Sequence, residues 1–286
     1  MTYEELYHRG RERLAAAGIA EAGLDARLLL EYVCGTDRNA LLVHGDRPVE
    51  NGNQTAYEEL ISEREKRIPL QYLTGSQEFM GLEFQVNEAV LIPRQDTEIL
   101  VEEALRNLHD GMRILDMCTG SGCILISLLH YTNDCEGVGL DISEAALAVA
   151  EKNAAKLLGG KMQERHGKIR FVQSDLFERA EGKFDIITCN PPYISRAELD
   201  TLMPEVGRYE PAEALYGGED GLFFYRKIVE ESRKHLYGGG MLFFEIGWQQ
   251  AGEVCRLMER AGFEAVAVVK DYAGLDRVVY GSRGFE

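Results

Sequence analysis

The chain has 286 residues, a formal net charge of -17 and 45% hydrophobic residues, enough for one large domain plus a small one with a full core. Proteins that grip nucleic-acid phosphates do so with Lys and Arg, so the acidic balance and the lack of a long basic run argue against stable nucleic-acid binding. A basic protein partner is easier to accommodate, although acidity serves solubility as well.

No stretch approaches the length of a membrane span. The opening Met1-Thr2-Tyr3-Glu4-Glu5-Leu6 has neither a basic n-region nor an apolar h-region, so no signal peptide is expected. The six cysteines lack paired metal-ligand spacing. Reduced thiols in the cytoplasm, no metal and a monomer are the expectations.

Thr2-Tyr3-Glu4-Glu5 reads as a capping box, opening a helix to Ala17 with Gly18 as its stop. A second helix is expected from Asp25 to Cys34, closed by Gly35, and a third from about Thr55 to Arg67, ending before Pro69. These segments make a small helical domain over residues 1–70, suited to holding a partner. Residues 71–92 read as a β-hairpin linker: Phe79-Met80-Gly81-Leu82-Glu83-Phe84-Gln85-Val86 alternates apolar residues around a glycine turn.

From residue 93 onward a helix capped by Asp96 or Thr97 is followed by short apolar runs alternating with helical ones. Strands are expected to start near Ile114, Gly137, Ile169, Phe184, Met241, Ala265 and Arg277. Such alternation predicts an α/β domain over 93–286 with a doubly wound, mostly parallel seven-stranded sheet. The stretch from Ile194 to Gly221 is a candidate lid.

The strand ends carry the chemistry-bearing residues, where an open α/β sheet binds ligands. Cys118-Thr119-Gly120-Ser121-Gly122 is a tight turn after the first strand, with glycines that let the backbone approach a ligand. It lacks the spacing of a dinucleotide-binding turn and the Gly-Lys-Ser/Thr of a phosphate loop. Asp141 ends the second strand, where a carboxylate can accept both hydroxyls of a ribose; it could equally cap the next helix. Asp175, Leu176 and Phe177 after the third strand can wall an adenine slot. Together these suit a nucleoside without a pyrophosphate.

Asn190-Pro191-Pro192-Tyr193 follows the fourth strand. Asn190 offers a side-chain carbonyl, Pro191 a backbone carbonyl, Pro192 a fixed φ that stiffens the corner, and Tyr193 a flat ring. Two acceptors beside an aromatic face suit a planar, conjugated NH2 group; a turn that merely ends a strand would use the same residues. Glu245, at the end of a later strand, could also line the site. Trp248 is expected to pack at a strand–helix turn. His130, His166 and His235 have no partner at ligand spacing and read as surface or structural residues.

The glycine turn, Asp141 and the Asn-Pro-Pro-Tyr tetrapeptide resemble those of class I S-adenosylmethionine-dependent methyltransferases that methylate amino groups. Pro69 to Gly75, Phe79 to Phe84, Ile92 to Glu98, Tyr209-Glu210-Pro211 and Gly217 to Leu222 narrow the resemblance to the bacterial release factor glutamine methyltransferase (PrmC/HemK) family. It implies S-adenosylmethionine as methyl donor and, as substrate, the glutamine of the Gly-Gly-Gln tip of peptide chain release factors. It further implies donor contacts at Cys118 to Gly122, Asp141 and Asn190, an adenine wall at Leu176, and a glutamine site from Asn190 to Tyr193. One departure stands out: the family usually has glycine where this chain has Cys118, a change that costs energy if the position needs φ > 0. An adenine N6 amine would fit the same acceptor pair, so a DNA or RNA adenine methyltransferase is an alternative, and a non-catalytic donor-binding module is another. The first needs a basic target-reading surface and base flipping, neither legible here.

Overall fold

The computed structural model describes residues 1–164 and 169–285, so His166 lies outside the described residues. The chain forms two compact units: Met1–Ser76 with Met203–Tyr209, and Gln77–Leu202 with Glu210–Glu286. In chain order the first unit holds α1 (Tyr3–Ala16), α2 (Ala22–Cys34), α3 (Arg38–Val43), α4 (Asn51–Glu65) and α5 (Leu70–Thr74). Next come β1 (Ser76–Phe79), β2 (Leu82–Gln85), α6 (Glu98–Asn107), β3 (Arg113–Met117), α7 (Cys123–Tyr131), β4 (Glu136–Asp141) and α8 (Glu144–Glu164). They are followed by β5 (Ile169–Gln173), β6 (Phe184–Cys189) and α9 (Arg196–Leu199). The chain rejoins the first unit for α10 (Pro204–Tyr209) and closes in the second with α11 (Phe223–His235), β7 (Leu236–Glu245), α12 (Ala251–Arg260), β8 (Phe263–Lys270) and β9 (Asp276–Arg283).

The helical unit shows both its expected signals and their limits. Thr2 and Glu5 form the capping box reciprocally, and Gly35 ends α2 in the left-handed region. α2 begins three residues before Asp25, because that carboxylate is buried against Arg64 at 2.8 Å rather than capping a helix end. α4 begins at Asn51 rather than Thr55; the Thr55 hydroxyl donates back to the Asn51 carbonyl, as a threonine inside a helix does. Two short helices, α3 and α5, were not foreseen. α5 occupies residues assigned above to the hairpin linker, bracketed by Pro69 at its start and a left-handed Gly75 at its end. Leu6, Leu14, Leu29, Leu30, Tyr57 and Ile61 are fully buried and form the unit's core. Arg64 also reaches Glu205 of α10 at 2.9 Å, and Arg67 reaches the same carboxylate at 2.7 Å.

In the second unit, Met80 and Gly81 both have positive φ, which closes the β1–β2 hairpin with a tight turn. Phe79 and Phe84 pack edge to face at 6.0 Å beneath it. The main sheet has seven strands in the order β5-β4-β3-β6-β7-β9-β8, and β9 runs antiparallel to both of its neighbours. The other pairings are parallel. This is the doubly wound, mostly parallel sheet expected from the alternation. Successive residues diverge to opposite layers: Leu115, Met117, Ile187 and Cys189 face one core, Ile114 and Ile186 the other. β7 starts at Leu236, five residues before the expected Met241, because Leu236 pairs with Phe184 across an irregularity.

Thr97 occupies the N-cap position of α6 but its side chain makes no capping bond, and Asp96 does not cap the helix. Asp96 instead pairs with Arg277 at 3.1 Å. Trp248 does not pack into the strand–helix turn; it is 53% exposed. His235 is structural, stacked on Phe177 at 4.7 Å, and His130 sits edge to face with Tyr131. Among the described residues no helix is long and apolar enough to cross a membrane. All six cysteines are free thiols.

Candidate active site

The carboxyl ends of β3, β4, β5 and β6 open on one cavity of about 500 Å³. Its wall includes Cys118, Thr119, Gly120 and Ser121 from the first turn, Asp141 from the second strand end, Asp175 and Leu176 from the third, and Asn190 with Pro192 from the fourth. Gly122, Phe177, Pro191, Tyr193 and Glu245 do not line it.

The first turn is held in an extreme conformation: Cys118 has φ +57, Gly120 +53 and Gly122 +80. Cys118 therefore occupies a backbone region that favours glycine. A side chain added at Gly120 would meet open space, so its bare backbone faces the cavity. The turn is pinned from below. The Thr119 hydroxyl donates to Asp116 Oδ2 at 2.6 Å, and the Thr188 hydroxyl donates to Oδ1 at 2.8 Å. Asp116 is fully buried; burial pushes its carboxyl up to about 7, against the two hydroxyls that favour its charge.

Asp141 accepts the Gly120 N–H at 2.8 Å on one oxygen and the Ser143 N–H at 3.0 Å on the other. It thus ties β4 to the glycine turn, and the helix-capping bond to Ala146 comes from Ser143 instead. Each carboxylate oxygen keeps a free lone pair for a ligand hydroxyl. Burial raises its pKa, opposed by the backbone N–H groups of Ser143, Gly120 and Ile142. Asp175 is exposed at the cavity edge, and Leu176 is held with φ +48. The Ser174 hydroxyl fixes that turn by donating to the Leu176 carbonyl at 2.7 Å. Phe177, assigned above to the adenine wall, points into the core against His235.

After β6, the Asn190 amide nitrogen lies 3.5 Å from the Thr97 hydroxyl. Tyr193 turns inward: its hydroxyl donates to Glu245 Oε1 at 3.3 Å. Burial first, then the Glu245 charge, pushes its pKa far up, so it stays a neutral donor. Its carbonyl accepts from Gln250 Nε2 at 3.1 Å, and the same nitrogen reaches the Gly221 carbonyl at 3.2 Å. A Cβ at Gly217 would stand 2.6 Å from the Pro192 carbonyl oxygen, which is why this position must be glycine. The candidate lid is neither featureless nor detached at its neck: Ile194 bridges to Tyr216. Glu210 is paired with Arg94, and burial raises its pKa against that guanidinium.

Two walls went unread in the sequence. Val90, Pro93 and Arg94 form one; Ala212, Glu213 and Tyr216 belong to the other. Asp116, a charge in the middle of an apolar strand, was a visible but unused signal, whereas nothing local marks Gln250 or Thr97. Among the described residues no group of three or more His, Cys, Asp or Glu side chains is arranged to hold a metal ion.

The chain is 43% identical over 276 residues to a release factor glutamine methyltransferase of Geobacter sulfurreducens, covering 96% of this chain and 94% of the relative. The chain belongs to the release factor glutamine methyltransferase family. A second member, from Clostridium acetobutylicum, is 42% identical, covering 91% of each chain. Residues 5–75 match the PrmC N-terminal domain, and residues 95–205 match the methyltransferase small domain. The crystal structure of a methyltransferase from Pyrococcus furiosus shares the fold, with a TM-score of 0.51 at 17% identity, over 72% of this chain and 91% of that one. In this methyltransferase fold the four strand ends around the cavity are the natural place for donor and acceptor to meet.

Proposed function

We propose that the chain transfers a methyl group from S-adenosylmethionine to the side-chain amide nitrogen of the glutamine in the Gly-Gly-Gln loop of peptide chain release factors. The observation that carries this reading is that the open Gly120 turn, the Asp141 carboxylate and Asn190 share one cavity. Family membership supplies the substrate class. The residues present fit the donor. A volume of about 500 Å³ lies within the usual range for small-molecule sites. Asp141 retains acceptor capacity for two ribose hydroxyls, Leu176 and Asp175 flank the adenine, and no lysine-bearing phosphate loop is present to demand a pyrophosphate. Cys118 to Ser121 border the donor through their backbone. When bound, the donor supplies an electrophilic methyl group on a cationic sulfur.

The chain's task is to make an amide nitrogen a competent acceptor, because its lone pair is delocalised into the carbonyl. Asn190 Oδ1 and the carbonyl of Pro191, a residue that does not itself line the cavity but lies between two that do, accept the two N–H bonds of the glutamine, fixing the nitrogen and favouring its pyramidalisation. Such positioning can contribute up to about 7–11 kcal/mol. The nitrogen gains a methyl group and loses one proton, which becomes more acidic once the new bond forms and passes to water. The helical unit, residues 1–70 in the sequence reading, is the substrate-binding domain. One polypeptide supplies every wall of the cavity, which supports action as a monomer, and six unpaired thiols suit a reducing cytoplasm.

The test is mass spectrometry of a purified release factor after incubation with the protein and S-adenosylmethionine. A gain of one methyl on the Gly-Gly-Gln glutamine is expected. An unchanged release factor, with methyl appearing on adenine in an added nucleic acid, would overturn the proposal.

A further inference from the structure

Behind Asn190 lies a run of polar groups that the transfer chemistry leaves unused. Thr97 and Glu245 are each 2% exposed. The Thr97 oxygen faces the Asn190 amide nitrogen at 3.5 Å. Burial raises the Glu245 carboxyl from its ordinary range, and the Thr97 hydroxyl on its other side, the Arg277 guanidinium and the Tyr193 hydroxyl oppose that by favouring its charge. Glu245 Oε1 accepts a hydrogen bond from the Tyr193 hydroxyl at 3.3 Å, while Oε2 is buried without a hydrogen-bond partner.

Proton counting decides the direction of this chain. In its ionised form Glu245 only accepts, and its buried Oε2 is costly to leave unsatisfied, so the single Thr97 proton is drawn toward it. Thr97 Oγ1 is then left to accept. An acceptor at that place selects the NH2 side of the Asn190 amide. Rotated by half a turn, the amide would set its oxygen against the Thr97 oxygen and its NH2 toward the cavity. There it would meet the NH2 of the incoming glutamine, donor against donor.

The geometry points to Thr97 and Glu245 as positioning residues that set the Asn190 amide, turning Nδ2 into the protein and Oδ1 toward the cavity. The assignment rests on the reading of Asn190 as the acceptor for the glutamine amide. Tyr193 belongs to the same set: by donating to Oε1 it leaves Oε2 as the oxygen that Thr97 must satisfy. The tetrapeptide and the Ile92 to Glu98 segment, far apart in the chain, thus meet through one hydroxyl.

The experiment compares wild type with Thr97→Val, Thr97→Ser and Glu245→Gln. It measures kcat and KM on a release factor, donor affinity by calorimetry, and solvent exchange of the Asn190 side-chain NH2 protons by NMR. Losing one oriented hydrogen bond at the acceptor corresponds to roughly a ten- to hundredfold fall in kcat. Thr97→Val should show that fall with donor affinity held within about twofold, as expected for an interaction used only in the transition state. Its Asn190 NH2 protons should exchange faster than in wild type. Thr97→Ser, which restores the hydroxyl, should recover most of kcat and the slow exchange. Glu245→Gln brings its own donor to Thr97, frees that hydroxyl to donate to Asn190, and should lose kcat like Thr97→Val.

An undiminished kcat in Thr97→Val, or an equal loss in Thr97→Val and Thr97→Ser, overturns the assignment. If Thr97→Val also loses donor binding, the serine and glutamine variants decide: Glu245→Gln with wild-type kcat overturns it. A wild-type protein that leaves the release factor unmethylated while binding the donor refutes the functional reading. The NMR comparison then still reports on the amide, and unchanged exchange in Thr97→Val overturns its orientation by Thr97.

Discussion

Cys118 sits at φ +57, between the end of β3 and Gly120. A left-handed conformation costs an L-residue roughly 1–2 kcal/mol, because Cβ crowds the following carbonyl. Glycine escapes that crowding but costs about 0.4–1 kcal/mol through the extra freedom of the unfolded chain. Cys118→Gly and Cys118→Ala both remove the sulfur, so the packing of Sγ against its neighbours cancels between them. What remains is strain against chain entropy, and it favours the glycine variant by about 0.5–1 kcal/mol. That inverts the usual order, in which alanine is the more stable by roughly 0.5–1 kcal/mol within regular structure. In a chain of this size the difference corresponds to a Tm about 1–4 °C higher for Cys118→Gly than for Cys118→Ala. Differential scanning calorimetry of the two proteins in one buffer measures it. An alanine variant as stable as the glycine variant, or more so, refutes the argument that this turn demands positive φ.

Asn190→Ala removes the acceptor that positions the glutamine nitrogen, so kcat on a release factor should fall at least about a hundredfold, far more than donor affinity; turnover assays with calorimetry check both. Gly217→Ala would place a carbon 2.6 Å from the Pro192 carbonyl oxygen and 2.7 Å from the Tyr193 Cα, both backbone atoms that cannot swing aside. It should cost about 1–3 kcal/mol of stability, read by denaturant titration, and slow turnover by displacing the tetrapeptide. Asp116 is raised from its ordinary 3.8 to about 7, so between those values the folded state holds a proton that the unfolded chain has released. Stability should therefore decline as pH rises from about 4 to about 7 and level off above. In Asp116→Asn that decline should flatten relative to wild type; denaturation midpoints across the pH range that fall equally in both proteins would count against the buried-carboxyl argument.

The fold was legible because its signals are local and repeated. Short apolar runs at Ile114, Ile169 and Phe184 mark strands, and the capping box at Thr2 and Glu5 marks a helix start. Where side chains are drawn into distant partners, local reading fails. Asp96 resembles a cap but pairs with Arg277, and Asp25 resembles one but is buried against Arg64. The same division runs through the site. Asp141, which ends a strand, and Asn190, which follows one, share the cavity because strand ends converge in this topology. Tyr193 and Phe177 were assigned to the ligand because they adjoin such residues, yet the Tyr193 hydroxyl is drawn to Glu245 and Phe177 is buried in the core, stacked on His235. Thr97, Gln250 and Arg94 gave no local sign of what they hold at the site, since their contribution depends on contacts across more than fifty residues of sequence.

The way the Asn190 corner is held bears on how the reaction is accelerated. The charged residues on the cavity wall are Arg94, Asp141, Asp175 and Glu213. Asp141 is committed to two backbone N–H groups, and Arg94 to Glu210. Glu245, the buried carboxylate nearest the tetrapeptide in the fold, lies off the wall with Tyr193 on its oxygen. What the contacts at this corner provide is constraint. Gln250 grips the Tyr193 carbonyl, Gly217 admits the Pro192 carbonyl at close range, and Thr97 faces the Asn190 amide. Each contact comes from a different part of the chain and removes a different freedom of the same four residues. An sp2 nitrogen that needs geometry more than proton transfer is the kind of acceptor such a corner serves.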